Sequence, residues 1–138
     1  VPRAVLDTNV LVSALISPGG PSAALLLELR AGAFELVVSP ALLSELRDVL
    51  ARPKFGLYVT AAEVDAYVEL VEHEAAMHRD PPHSGGTLSA DPDDEYLIDL
   101  ARAAGTDVLV SGDAHLLDLR GVVPVMTPAQ FLASLASR

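Results

Sequence analysis

Four acidic residues stand where the surrounding pattern argues for burial: Asp7, Glu45, Asp94 and Asp113. Asp7 lies in VLDTN, directly after Ala4-Val5-Leu6 and just ahead of the apolar run Val10-Leu11-Val12. An ionised carboxylate among such neighbours is costly unless something answers its charge. Asp113 stands in the same relation to Val108-Leu109-Val110-Ser111-Gly112. Each follows an apolar strand and feeds a helix, where the N-terminal dipole offsets part of the charge and where Asp is also an ordinary N-cap. Helix geometry brings in the other two. On a wheel of about 100° per residue, Asp94 falls inside the apolar arc of Leu97, Ile98, Ala101 and Ala104, while Glu95 and Asp99 face away with Arg102. Glu45 falls on the shoulder of the arc of Leu42, Leu46 and Val49, with Arg47 and Asp48 further out. The run Asp91-Pro92-Asp93-Asp94 also suits an acid-rich first helical turn, which explains Asp91 and Asp93 but not an acid on the apolar side.

Two carboxylates about 5 Å apart repel by roughly 3 kcal/mol at an effective dielectric near 20. Four such groups converge only around a cation. The chain has no cysteine, and the acids offer hard oxygen ligands, which favour Mg²⁺ or Mn²⁺ over zinc. The histidines offer little: His73 and His78 are badly spaced for one helix, His83 lies in a Pro/Gly-rich stretch, and only His115 is near the acids.

These residues need a scaffold that brings strand ends together. Apolar strands alternate with helical segments, the pattern of a parallel α/β sheet. A first strand is expected over Arg3 to Asp7, a helix from Asn9, and the loop Ser17-Pro18-Gly19-Gly20-Pro21. A second helix runs to about Ala31, with Gly32 as its stop. Its segment Ala23 to Leu29 is apolar nearly all round, so burial is expected, with an oligomer or partner groove as the alternative. Phe34 to Val38 is the second strand, and Ser39-Pro40 opens a helix ended by Arg52-Pro53. Thr60-Ala61-Ala62-Glu63 is a capping box for a helix presenting Val64, Tyr67, Val68 and Val71. Ala75 to Arg79 is a short strand, and Asp80 to Ala90 a loop. A helix then runs from Asp91-Pro92 to Ala104, followed by strands at Asp107 to Val110 and Val122 to Met126 and a helix capped by Thr127-Pro128. Ligands of such sheets bind beyond the carboxyl ends of the strands, where Asp7 and Asp113 lie.

With 138 residues and 51% hydrophobic composition, one domain over residues 1–138 with a substantial core is expected. A mean hydropathy of +0.38 excludes a disordered chain. No apolar run is long enough for a bilayer, no signal peptide is expected before the first strand, and the absence of cysteine suits the cytoplasm. The net charge of −10 counts against non-specific nucleic-acid binding. Four acids neutralised by bound cations would bring −10 to −6. Arg47, Arg52 and Lys54, near Glu45 in sequence, are candidate phosphate contacts or plain surface cations.

Taken in order, VLDTNVLVSAL, SPGGP, FELVVSPALLSELRDVLARPKF, DPDDEYLIDLA and VLVSGDAHLL resemble the PIN-domain family, in particular the VapC-like toxins of bacterial toxin–antitoxin systems. The resemblance runs from Val5 to Leu117. It implies a three-layer α/β/α sandwich on a mostly parallel sheet, and Mg²⁺- or Mn²⁺-dependent cleavage of RNA phosphodiester bonds. It implies Asp7, Glu45, Asp94 and Asp113 as the catalytic acids, with Asp93 as the alternative to Asp94. Asp7, Asp94 and Asp113 would be direct metal ligands; Thr8, Asn9 and Ser111 would support them or contact phosphate. It also implies an antitoxin partner and a homodimer. Many relatives carry a further acid where His115 stands, which bears on metal number and affinity.

Two other acid-bearing folds fit less well. A HAD-type phosphatase needs a second Asp at the position of Asn9, and a response-regulator receiver needs a lysine after a late strand, whereas the sole lysine is Lys54. The remaining alternative is a non-catalytic PIN-like interaction or RNA-binding protein with a relic acidic pocket.

Overall fold

Strand formation begins with the apolar stretch at the N-terminus. In the computed structural model, residues 1–82, 92–117 and 124–137 are described, with only the backbone for Pro92, Asp93, Asp94, Ala114 and His115. The expected loop up to Ala90, the helix start at Asp91, His83 and the strand start at Val122 therefore lie wholly or partly outside the described residues.

The strands are β1 (Arg3–Leu6), β2 (Glu35–Val38), β3 (Ala76–Met77), β4 (Val108–Val110) and β5 (Val125–Met126). Beside a short 3₁₀ turn at Pro53–Phe55, the helices are α1 (Thr8–Ile16), α2 (Pro21–Arg30), α3 (Pro40–Leu50), α4 (Ala61–Glu74), α5 (Pro92–Ala103), α6 (Ala114–Leu117) and α7 (Pro128–Ala136). All described strand pairings are parallel, in the order β3-β2-β1-β4-β5. The chain thus builds outward from β1 through β2 to β3, then crosses back to place β4 on the other side of β1. That makes the β1–β4 boundary the topological switch point of the sheet.

β1, β2 and β4 are buried on both faces, as parallel strands between two helical layers must be. Helix α1 packs on α2 and α3, α3 on α4, and α2 on α7, while α5 packs against β1 and β4. This is a three-layer α/β/α arrangement. The fully buried Leu6, Leu11, Leu25, Leu36, Leu42, Leu46, Ile98, Leu109 and Phe131 form its core.

Local chemistry sets the element ends. The Ser39 hydroxyl accepts from Leu42 N at 3.3 Å, and Pro40 occupies the first helical position of α3. Thr60 with Glu63, and Thr127 with Gln130, form reciprocal capping boxes at α4 and α7. Gly32 and Gly105 take positive φ after α2 and α5, a conformation that favours glycine. Helix α2 is less enclosed than its composition suggests: Leu25 and Leu29 are buried, but Leu27 is 68% exposed. Among the described residues no single helix is long and apolar enough to cross a membrane.

Helix α5 corrects the wheel. Glu95 and Asp99, expected to face away, are buried at 4% and 6% exposure, whereas Arg102 is exposed. A wheel gives one outward face to a whole helix. Among the described side chains of α5, those from Glu95 to Ala101 are covered on nearly every side, and Arg102 and Ala103 in the last turn open outward.

Candidate active site at the strand ends

The main-chain ladder decides where Asp7 goes. Leu6 pairs with Val110, and the next amide, Asp7 N, donates to Val110 O at 2.9 Å. The register therefore carries Asp7 to the side of Ser111, just beyond the ends of β1 and β4. There Ser111 Oγ donates to Asp7 Oδ2 at 2.7 Å and accepts from Asp113 N at 2.9 Å. One fully buried hydroxyl thus ties the first strand-end acid to the backbone of the second. The amide of Asn9 donates to Asp7 Oδ1 at 3.3 Å, making Asp7 the N-cap of α1. This support comes from the Asn9 backbone; its side chain is exposed.

Asp7 is both buried and structurally useful, and the two effects oppose each other. Loss of solvation raises its pKa above the ordinary value. Hydrogen bonds from Ser111, Asn9 and Thr8 pull it down, and the nearby charge of Asp113 pushes it up, but burial prevails. Capping alone leaves a carboxylate that is under-compensated.

Glu45 reaches the same region from α3. It is half-buried, on the edge of the face that buries Leu42, Leu46 and Val49, as its position on the wheel implies. Sequence reasoning missed a neighbour of this site, Tyr96, on α5. The Tyr96 hydroxyl lies 3.4 Å from Thr8 Oγ1, within range of the Glu45 and Asp7 charges. Burial raises the Tyr96 pKa, and the charges of Glu45 and Asp7 push it further in the same direction. Thr8 is itself buried at the start of α1. Tyr96 and Thr8 thus stand beside the group formed by Asp7, Ser111 and Asp113. No local signal marks Tyr96 out, because an aromatic in an amphipathic helix reads as core.

The side chains of Asp94 and Asp93, the alternatives for a further acid, lie outside the described residues, as does that of His115. The backbone puts both aspartates in the first turn of α5, on the same helix as Tyr96. Among the described residues no group of three or more His, Cys, Asp or Glu side chains is gathered closely enough to hold a metal ion. That does not exclude Mg²⁺, which keeps several waters and commonly takes only one or two carboxylates with substrate phosphate. An oxygen-only donor set centred on a buried, under-compensated carboxylate fits such an ion.

Shallow depressions flank the acids. One of about 330 Å³ is lined by Asn9, Val10, Ser13, Ser22, Asp113 and Pro128, among others. Another of about 370 Å³ is lined by Ala41, Ser44, Glu45, Asp48, Val49 and Arg52. Of the cations near Glu45, Arg47 is paired with Asp65 and Lys54 lies 5.0 Å from the Phe55 ring centre. Arg52 is the one that lines the depression beside Glu45.

A sheet with acids at its switch point defines an α/β protein with an acidic strand-end site. The PIN domain family matches residues 3–115, and the chain belongs to that family. Solved structures agree on the fold. The chain is similar to PAE2754 from Pyrobaculum aerophilum, with a TM-score of 0.69 and 18% identity over 100% of this chain and 97% of that one. It is similar to a chain in the crystal structure of VapBC2 from Rickettsia felis bound to a DNA fragment from its promoter, with a TM-score of 0.64 and 16% identity over 91% and 98%. It is also similar to the PIN domain of human SMG5, with a TM-score of 0.51 and 13% identity over 96% and 98%. No curated protein sequence matches the chain at a significant level.

Proposed function

We propose that this PIN-domain chain is a metal-dependent endoribonuclease that hydrolyses RNA phosphodiester bonds, and that it is the toxin of a toxin–antitoxin pair. The observation that carries the nuclease reading is Asp7: a buried carboxylate at the switch point, tied through Ser111 to Asp113, whose charge its protein partners do not fully answer. Asp7 and Asp113, with Asp94 from the first turn of α5, are the proposed ligands for Mg²⁺ or Mn²⁺. A divalent ion bound there supplies Lewis acidity that makes water a better nucleophile and offsets charge developing on phosphate.

The chain's own residues have separate tasks. Ser111 fixes the orientation of the Asp7 carboxylate and of the Asp113 backbone. Glu45 holds and orients the attacking water and accepts its proton. Thr8 and Asn9 bound the phosphate side of the site, and Arg52 meets the RNA backbone beside Glu45. The depressions by Asp113 and by Glu45 give the strand a path across the acids. A net charge of −10 makes such binding dependent on the metal and sensitive to salt.

An antitoxin partner belongs to the same proposal and draws support from the likeness to the VapBC2 chain. A homodimer rests on the family resemblance, a cytoplasmic location on the absence of cysteine, and a single domain over residues 1–138 on length and composition. The lack of a three-acid group among the described residues favours the second reading, a non-catalytic RNA-binding or interaction protein. RNA cleavage assays with Mg²⁺ or Mn²⁺, with chelator, and with Asp7→Asn separate the two. The nuclease predicts cleavage lost in both controls. Cleavage indifferent to chelator and to Asp7→Asn, or none by the wild type, rejects it.

A further inference from the structure

We propose that the start of α2 is a phosphate subsite for the RNA strand: the Ser22 hydroxyl and the first amides of α2 hold a phosphate next to the one that is cleaved. The proposal deepens the nuclease reading and rests on it for the identity of the strand. The SPGGP segment that joins α1 to α2 builds the site. Gly19 takes a φ of +91°, a conformation that favours glycine, and Gly20 N donates to Ser17 O at 3.2 Å. This turn bends the chain by 95° between α1 and α2 and starts α2 at Pro21, whose ring suits the first helical position.

Ser22 follows Pro21. It is 7% exposed and lines the depression of about 330 Å³ beside Asp113, and its hydroxyl has no hydrogen-bond partner among the described residues. A hydroxyl so deeply buried is normally bonded. Here its open side is the depression, where a ligand oxygen can accept its proton. The N-cap of α2 is Gly20, which carries no side chain to accept from the Ser22 and Ala23 amides. A serine or aspartate in that place would set its own oxygen there. Glycine leaves the positive end of the helix dipole to an anion. Asn9 and Ser13 stand one turn apart on α1 and bring two further polar side chains to the same depression.

A phosphate oxygen answers this set better than a base does. The helix start and the serine are donors, and among the described residues no aromatic side chain lines the depression for a base to stack on. The Asp113 carboxylate lines it as well and repels an anion, so the subsite fills best when that acid holds a cation. The position beside Asp113 makes the bound phosphate a neighbour of the scissile one along the strand.

Adenosine monophosphate (AMP) is the probe, because it carries a phosphate but no bond for the nuclease to cut. Backbone amide resonances are followed by heteronuclear NMR in Mg²⁺, with adenosine as the control. AMP should shift the Ser22 and Ala23 amides saturably, and adenosine should leave them unmoved. Ser22→Ala removes the hydroxyl and no protein contact, so it should keep the wild-type Tm while weakening AMP binding roughly 10-fold. In RNA cleavage the same variant should raise KM by a similar factor, with kcat within about 2-fold. Equal shifts with adenosine, shifts confined to residues around Asp7, or wild-type affinity for AMP in Ser22→Ala would overturn the proposal. So would AMP binding at Ser22 with an unchanged KM for RNA, which assigns the site to a free phosphate ester. AMP binding that depends on Ser22 in a protein that cleaves no RNA would remove the nuclease reading and leave the phosphate site standing.

Discussion

The strand-borne and helix-borne parts of the site are held by different means. Asp7 and Asp113 follow β1 and β4, and the register that pairs Leu6 with Val110 already brings Asp7 beside Ser111. Glu45 projects from α3, which is anchored by Leu42, Leu46, Val49 and Leu50, and no strand ladder lies behind it. A backbone ladder can keep an acid in place even where its charge is unwelcome. An acid on a helix flank needs a side-chain partner to stay put. Substitutions in the two parts should therefore affect stability and activity in different proportions.

The largest expected effect is on the strand side. Asp7→Asn should lower metal-dependent RNA cleavage at least about 100-fold, since it removes a proposed ligand and several kcal/mol of transition-state charge stabilisation. Glu45→Gln should lower it by roughly 10- to 100-fold and leave thermal stability nearly unchanged. Single-turnover cleavage and melting curves on both proteins check the contrast, and equal losses of stability would break it.

Ser111→Ala comes next. The part-buried Asp113 amide and one buried Asp7 oxygen would each lose a partner, so destabilisation of about 1–3 kcal/mol is expected in urea unfolding.

A smaller effect runs in the opposite direction. Burial raises the Asp7 pKa, so in the metal-free protein the folded state binds this proton more tightly than the unfolded one. Stability from that group is present below the unfolded value of 3.8 and is lost as pH rises through the higher folded value. Asp7→Asn should therefore be the more stable protein near pH 7 in chelator, with the higher Tm. Melting curves from pH 4 to pH 8 test this, and a wild type that gains on the variant as pH rises would contradict it. Saturating Mg²⁺ should narrow the gap, because an ion that binds the folded wild type stabilises it.

The smallest effect lies outside the site. Arg47 and Asp65 form an exposed ion pair between α3 and α4. Arg47→Ala should cost no more than about 1 kcal/mol and leave cleavage unaltered. A large loss of activity would show that the α3–α4 contact sets the orientation of Glu45.

How much of this is legible in the sequence follows the same division. Asp7 and Asp113 can be found because the acids interrupt apolar strands, and a parallel α/β pattern tells where strand ends meet. Glu45 is legible as a shoulder residue of an amphipathic helix, since α3 does present one buried face. The wheel fails on α5, where Glu95 and Asp99 are buried because the helix is covered on more than one side. Local periodicity reports one face and carries no information about a second cover. Tyr96 is illegible for a related reason: its hydroxyl meets Thr8 on α1, a contact that only tertiary packing creates. Leu27 on α2 shows the reverse error, an apolar residue expected inside but left exposed.

The central claim is that the strand-end acids share one hard cation. Crystals grown with Mn²⁺ and measured at its anomalous edge test that claim most directly. The account predicts an anomalous peak within about 2.2 Å of carboxylate oxygens of Asp7 and Asp113, beyond the carboxyl ends of β1 and β4. Manganese bound elsewhere on the molecule, with Asp7 keeping its contacts to Ser111 and the Asn9 amide and meeting no ion, would contradict it.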